Sequence, residues 1–344
     1  MLFDAADYDA HEAVHFASDA ASGLQAIIAV HSTHLGPAAG GCRWWTYADD
    51  AAALTDALRL SRGMSYKNAM AGLPMGGGKA VILKGAPKTE EMLEAFGSAI
   101  DGLGGRYVTA EDVGMSDADM TVIARRTRHV SGLPVAGGAA GGNPGPSTAE
   151  GVFVGMRAAV RHKLGRDLAG THVAVQGLGS VGHALVRKLA AAGAKLSVAD
   201  IDEARAARVA DEVGATLVDN AAIMTVAADV FSPNALGAIL TEFSIARLDV
   251  AVVAGAANNQ LATPADGARV AARGILYAPD YVINAGGIIN VATEYLGSGD
   301  AAGVAAQIAR IEGRLADIFA EADASGRATD AVADAMARKL IGRG

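Results

Sequence analysis

Between His172 and Ala192 the chain runs from an apolar stretch, Val173-Ala174-Val175-Gln176, into Gly177-Leu178-Gly179-Ser180-Val181-Gly182 and then a helical pattern from His183 to Ala192. In a chain with 43 glycines a bare G-x-G-x-x-G is a weak signal. Its weight here comes from the strand before it and the helix after it. The first glycine makes a tight turn, the second admits a pyrophosphate to the backbone, and the third lets helix and strand close together. The helix N-terminus then offers its positive end to the phosphate. Asp200 ends the next apolar run, Leu196-Ser197-Val198-Ala199. Its carboxylate suits the adenosine ribose hydroxyls and repels a 2′-phosphate, which favours NAD over NADP. A chance glycine turn followed by a solvated aspartate is the plainer alternative.

Short apolar runs near 171–175, 195–199, 215–218, 229–232, 249–254 and 275–277, separated mostly by helical patterns, predict a doubly wound parallel sheet. A chain of 344 residues has room for about two domains. The glycine- and proline-rich segment Val135–Pro146 is the natural boundary, after which a helix is expected over Ser147–Arg161. The expected division is 1–140 for a first α/β domain carrying a lysine-rich motif, 141–320 for the nucleotide domain, and 321–344 for terminal helices packing back on the first. Val304, Ile308, Ile311, Leu315, Ile318 and Phe319 recur at helical spacing, and a shorter helix follows Thr329. Formal charge of −8 and the lack of a basic run argue against a nucleic-acid surface. The single cysteine, Cys42, excludes an internal disulfide and reads as a small packed residue in a cytoplasmic protein. The N-terminal residues lack a secretory signal pattern, and no long uncharged apolar run marks a membrane span.

The most chemically loaded stretch is Met64–Ile82, with Lys67 and Lys79 flanking Gly76-Gly77-Gly78. Three successive glycines cost backbone entropy and pack nothing, so something is expected to approach that backbone closely. Apolar β-formers from Ala80 to Leu83 place Lys79 where a loop enters a buried strand. Desolvation beside a second cation, with Lys67 as candidate, would bring such an ammonium to roughly pKa 7–8, as a general base needs. Two ordinary solvated lysines are the bland alternative. A helix is expected over Asp49–Met64, with Lys67 after it, a strand over Leu24–His31, a glycine-rich turn over Leu35–Gly41, and a helix over Thr89–Ile100. Asp112 closes the run Arg106–Ala110 and is either an acid–base group or a helix cap. His11-Glu12-Ala13-Val14-His15 matches H-E-x-x-H, but no third ligand follows at the usual spacing. It reads as an exposed amphipathic N-terminal helix, with no metal.

These motifs carry a resemblance spanning nearly the whole chain. RGMSYKNAMAGLPMGGGKAVI, YVTAEDVG, GNPGPSTAEGV, VAVQGLGSVG and YAPDYVINAGGIINVA resemble the amino-acid dehydrogenases of the glutamate, leucine, phenylalanine and valine family, above all its leucine-oxidising members. The resemblance implies a substrate and oligomerisation domain joined to a C-terminal Rossmann domain, with a cleft between them. It implies NAD-dependent, reversible oxidative deamination of an aliphatic, branched-chain L-amino acid to its 2-oxo acid and ammonia, by a homo-oligomer. It further implies Lys79 as catalytic base, Asp112 as proton-transfer partner and Lys67 as binder of the substrate carboxylate. Leu35, Ala110, Ile288 and Val291 are implied in the side-chain pocket, Thr148 beside the nicotinamide, and Asn259 and Asn284 near cofactor and substrate. An aromatic substrate and a non-catalytic NAD-binding regulator remain the alternatives. A 2-hydroxy-acid dehydrogenase would present a histidine and arginine pair in place of two lysines.

Overall fold

The structure, a computed structural model, describes residues 2–5, 7–133, 140–297 and 299–344. Two compact units organise it: Met1–Asn143 with Asn290–Val304 and Ala337–Gly344, and Pro144–Ile289 with Ala305–Met336. The division falls just beyond Asn143; of the Val135–Pro146 segment, residues 135–139 lie outside the described residues.

In the first unit, β1 (Ala13–Asp19), β2 (Leu24–Ser32), β3 (Ala38–Ala39), β4 (Cys42–Trp45), α1 (Asp50–Met70), β5 (Gly76–Leu83), α2 (Glu90–Asp101), β6 (Tyr107–Val108) and α3 (Asp117–Ile123) follow in order. The six-stranded sheet runs β1-β2-β5-β3-β6, with β4 also on β5. β1 and β5 pair antiparallel to β2; β3 and β4 pair parallel to β5, and β6 parallel to β3. Strand alternation gives β5 two different faces. Ala80 and Ile82 join the core under α2, with Met92, Phe96 and Ile100, while Val81 packs with Ala53, Ala57 and Leu58 of α1. Asp49 caps α1, accepting from the Ala52 amide at 2.8 Å, and Thr89 caps α2.

In the second unit, α4 (Gly145–Leu164), β7 (His172–Gln176), α5 (Ser180–Ala191), β8 (Lys195–Ala199), α6 (Glu203–Val213), β9 (Thr216–Leu217), β10 (Val230–Pro233), α7 (Glu242–Arg247), β11 (Val252–Val253), α8 (Ala265–Ala272), β12 (Leu276–Tyr277) and α9 (Asp280–Ile283) come first. Then follow α10 (Gly286–Leu296), α11 (Ala301–Ser325) and α12 (Thr329–Leu340), of which residues 290–296, 301–304 and 337–340 belong to the first unit. The sheet order β12-β11-β10-β7-β8-β9 is parallel throughout. This is the doubly wound order, and the strand sequence reverses between β7 and β10.

Three local expectations are corrected. The H-E-x-x-H segment leads into a strand, because residues from Ala13 pair with Val30 onward across β2, and His11 is buried at 6% exposure. Among the described residues no group of three or more His, Cys, Asp or Glu could hold a metal. The three glycines before Lys79 belong to β5 itself. Lys67 lies inside α1, on its last turn. Among the described residues no helix is long and apolar enough to cross a membrane.

Candidate active site

The close approach expected at the glycine run comes from the protein itself. A Cβ on Gly77 would land on the backbone nitrogen and Oγ of Ser65 in α1, and one on Gly78 would sit 2.7 Å from the Tyr107 ring. Asn68 Nδ2 also donates to Gly76 O at 2.6 Å. The bare backbone lets α1 press onto β5, which fixes where Lys79 emerges. Lys79 pairs with Ala29 across β2 and is 6% exposed.

Asp112 is brought to it by a second register. Amides of Ala38, Gly40, Cys42 and Trp44 donate in turn to carbonyls of Arg106, Val108, Ala110 and Val113, so residues 106–113 run beside 38–44. A Cβ on Gly41 would lie 2.7 Å from Glu111 O and 2.9 Å from Asp112 Cβ, so glycine there allows the approach. Asp112 Oδ2 then meets Lys79 Nζ at 2.5 Å and accepts from Arg43 Nε at 3.2 Å. Burial pushes the Asp112 carboxyl up, but the Lys79 ammonium and the Arg43 guanidinium outweigh it and hold it below the ordinary carboxylate value. The immediate partner of Lys79 is therefore a carboxylate, which Arg43 shares.

Arg43 did not stand out in the sequence. An arginine within an apolar four-residue strand, beside two tryptophans, was the available signal. Its Nη1 donates to Asp56 Oδ2 at 2.9 Å, and Asp56 also accepts from Tyr47 Oη at 2.8 Å and Arg59 Nη2 at 3.1 Å. Lys67 is half-buried, Leu35 and Ala110 are half-buried, and Val291 is buried; all four belong to the first unit. Cys42 is fully buried, and burial raises its thiol far above the normal range, so it is packing.

In the second unit, Gly177 ends β7 with φ of 89°, a left-handed turn that favours glycine. A Cβ on Gly182 would fall on the Gly177 carbonyl, whereas one on Gly179 would meet nothing within 4 Å. So Gly182 serves helix–strand packing and Gly179 leaves open space before α5, whose first turn carries no side-chain cap. Ser180 and Val181 open that helix, and Leu178 donates its amide to Asp200 Oδ2 at 2.7 Å. Asp200 is 8% exposed and lines a cavity of about 390 Å³ with Glu203, Leu217, Val218 and Asp219. These features fit a dinucleotide: a pyrophosphate over the open glycine at a helix N-terminus, and a ribose beside a carboxylate.

Thr148 Oγ1 donates to Pro144 O at 3.0 Å, and a Cβ on Gly287 would sit 2.6 Å from that hydroxyl oxygen. Asn284 is buried and donates through Nδ2 to Ala256 O and Asn258 Oδ1, while its Oδ1 has no partner. Asn259 is exposed and holds a left-handed φ of 51°. Ile288 is half-buried on α10 in this unit.

Residues 9–129 match the dimerisation domain of Glu/Leu/Phe/Val dehydrogenases, and residues 196–337 match the Glutamate/Leucine/Phenylalanine/Valine dehydrogenase domain. The chain is 49% identical to leucine dehydrogenase of Geobacillus stearothermophilus over 338 residues, 97% of this chain and 91% of that protein. It is 48% identical to valine dehydrogenase of Streptomyces virginiae over 343 residues, 97% of this chain and 95% of that one. The crystal structure of L-tryptophan dehydrogenase from Nostoc punctiforme is similar with a TM-score of 0.86 and 42% identity, covering 96% of each chain. Fold and likeness together define an amino-acid dehydrogenase, an oxidoreductase acting on a CH–NH2 group. The chain belongs to the Glu/Leu/Phe/Val dehydrogenase family.

Proposed function

We propose that the chain catalyses NAD-dependent, reversible oxidative deamination of an aliphatic L-amino acid such as leucine. The overall change is amino acid, water and NAD⁺ to 2-oxo acid, ammonia, NADH and a proton. The observation that carries the reading is the Lys79–Asp112 pair, an acid–base couple at 2.5 Å in which Lys79 is buried on β5 and Asp112 is half-buried beside it. Bound NAD supplies the hydride acceptor. Lys67 holds the substrate carboxylate by a charge-assisted bond worth roughly 1.5–3 kcal/mol. Loss of hydride from Cα leaves an iminium on the substrate, and Lys79 takes a proton from the water that attacks it. Asp112 carries protons to and from the departing nitrogen.

NAD over NADP is supported by the three carboxylates, Asp200, Glu203 and Asp219, around one cavity, which would repel a 2′-phosphate. The contiguous run Gly177 to Gly182 takes the pyrophosphate, with Thr148, Asn259 and Asn284 toward the nicotinamide and substrate. Leu35, Ala110, Ile288 and Val291 are the residues that the family resemblance assigns to the substrate side chain. All four are apolar, and the leucine and valine dehydrogenases among the relatives support an aliphatic substrate. The tryptophan dehydrogenase likeness favours a second reading, an aromatic substrate. We read the chain as a homo-oligomer of the cytoplasm, the matching dimerisation domain being the support for self-association.

The test is NADH formation at mildly alkaline pH from leucine, isoleucine, valine, phenylalanine, tryptophan and glutamate, side by side. A methylene is worth only about 1–3 kcal/mol of discrimination, so all three branched substrates are expected to react. Activity confined to tryptophan or phenylalanine refutes the pocket, and silence with every amino acid refutes the reaction.

A further inference from the structure

We infer that Arg43 is a positioning residue, holding Asp112 as an aimed carboxylate while Lys79 is uncharged. This rests on the acid–base reading above. Lys79 can act as a base only after losing its own proton, and at that moment Asp112 loses its ammonium partner. A carboxylate withdrawn from water then tends to take up a proton or turn away. A guanidinium does not deprotonate in proteins, so Arg43 remains a cation through the whole cycle.

The geometry suits that task. Arg43 Nε contacts Asp112 Oδ2, the same oxygen that meets Lys79, so the two cations converge on one carboxylate oxygen. The fork's far end is clamped: Nη1 donates to Asp56 Oδ2, and Asp56, 9% exposed, is itself held by Tyr47 and Arg59. The backbone on either side is fixed too, Cys42 N to Ala110 O at 2.8 Å and Trp44 N to Val113 O at 3.0 Å. The groups acting on Asp112 include Lys79 from β5, Arg43 and the Cys42 thiol from β4, the Tyr107 hydroxyl from β6 and the Val113 amide; Glu111 adjoins it and Lys67 lies on the packed helix α1. Lys79 and Arg43 are the cations that pull hardest on Asp112, and of these two only Lys79 changes charge in the reaction.

The experiment is the pH profile of kcat and kcat/KM for amino-acid oxidation by Arg43→Ala, Arg43→Lys and Asp56→Asn, beside wild type and Asp112→Asn. Without Arg43 the acid limb is expected to move up by about one pH unit, a loss of roughly 10-fold or more on that limb. KM for the amino acid should stay within about 3-fold, since a KM of this kind reports uniform binding. Arg43→Lys should recover part of the shift, Asp56→Asn should show a smaller shift of the same sign, and added ethylguanidinium should restore part of the Arg43→Ala rate. Should Arg43→Ala not fold, the other two variants carry the same expectation. An active wild type whose variants keep its acid limb, or lose only thermal stability, overturns this inference alone. A wild type that oxidises no amino acid overturns it together with the proposed function.

Discussion

Replacing Gly77 with alanine adds one methyl group where α1 crosses β5. The structure puts that methyl onto the backbone nitrogen, Cα and Oγ of Ser65, far inside the roughly 3.5–4.0 Å of a relaxed contact. Neither side gives cheaply, since both are backbone in regular structure. Overpacking of this kind costs about 1–3 kcal/mol, or roughly 2–4 °C of Tm per kcal/mol for a unit of this size. The larger effect falls on chemistry. Lys79 follows on β5 and Lys67 sits two residues after Ser65 on α1, so separating the two elements moves both lysines. A displacement near 1 Å costs on the order of 100-fold in rate. Gly63→Ala is the control: it lies exposed on the same helix, a Cβ there meets nothing within 4 Å, and it should gain about 0.5–1 kcal/mol with turnover unchanged. Thermal melts and steady-state rates on both variants decide. Gly77→Ala with normal Tm and normal kcat refutes the account of the glycine run.

Lys79→Ala should lower kcat by roughly 10²–10⁴-fold while NAD binding, read by fluorescence titration, is retained; near-normal turnover removes Lys79 from the mechanism. Asp200→Asn keeps an acceptor for the Leu178 amide but deletes a charge, so use of NADP relative to NAD should rise by at least about 10-fold. Unchanged discrimination would place specificity elsewhere. His31, fully buried, is pushed down to about 3 by burial and by the charges of Arg343 and His11, from an ordinary value of 6.5. Below pH 6.5 the unfolded chain binds a proton that the folded one does not, so stability falls with pH from 6.5 toward 3, at about 1.4 kcal/mol per unit for this group. Denaturant titrations from pH 7 to 5 should show a slope reduced by one proton in His31→Gln; parallel slopes contradict the linkage.

The second unit was readable because its signals are local. Each short apolar run, glycine turn and helix cap lies within about ten residues, and parallel connections allow few topologies. Strands near 195–199 and 275–277 were found within a residue or two. The first unit depends on distant partners. Ala13 to Asp19 is a strand because β2 pairs with it, a fact absent from the motif that suggested a helix. Glycine is depleted in strands, so Gly76–Gly78 suggested a loop until Ser65 and the Tyr107 ring were seen to fill the space. Lys79 and Asp112 were singled out from residue type and resemblance, but the contact of Arg43 with Asp112 spans 69 residues and has no local signature.

The first unit is discontinuous in sequence, and this sets a rule for anyone recombining such chains. A cut after Asn143 takes away Glu294, whose carboxylate accepts from the amides of Gly132 and Leu133, and Asn290, which exchanges hydrogen bonds with Gly141. It also removes Arg343, which reaches the carbonyls of Asp9, Ala10 and His31. A single-crossover chimera between two relatives therefore inherits a first unit stitched from two parents. Moving the first unit intact requires three segments to travel together, the last of them only eight residues long, Ala337–Gly344.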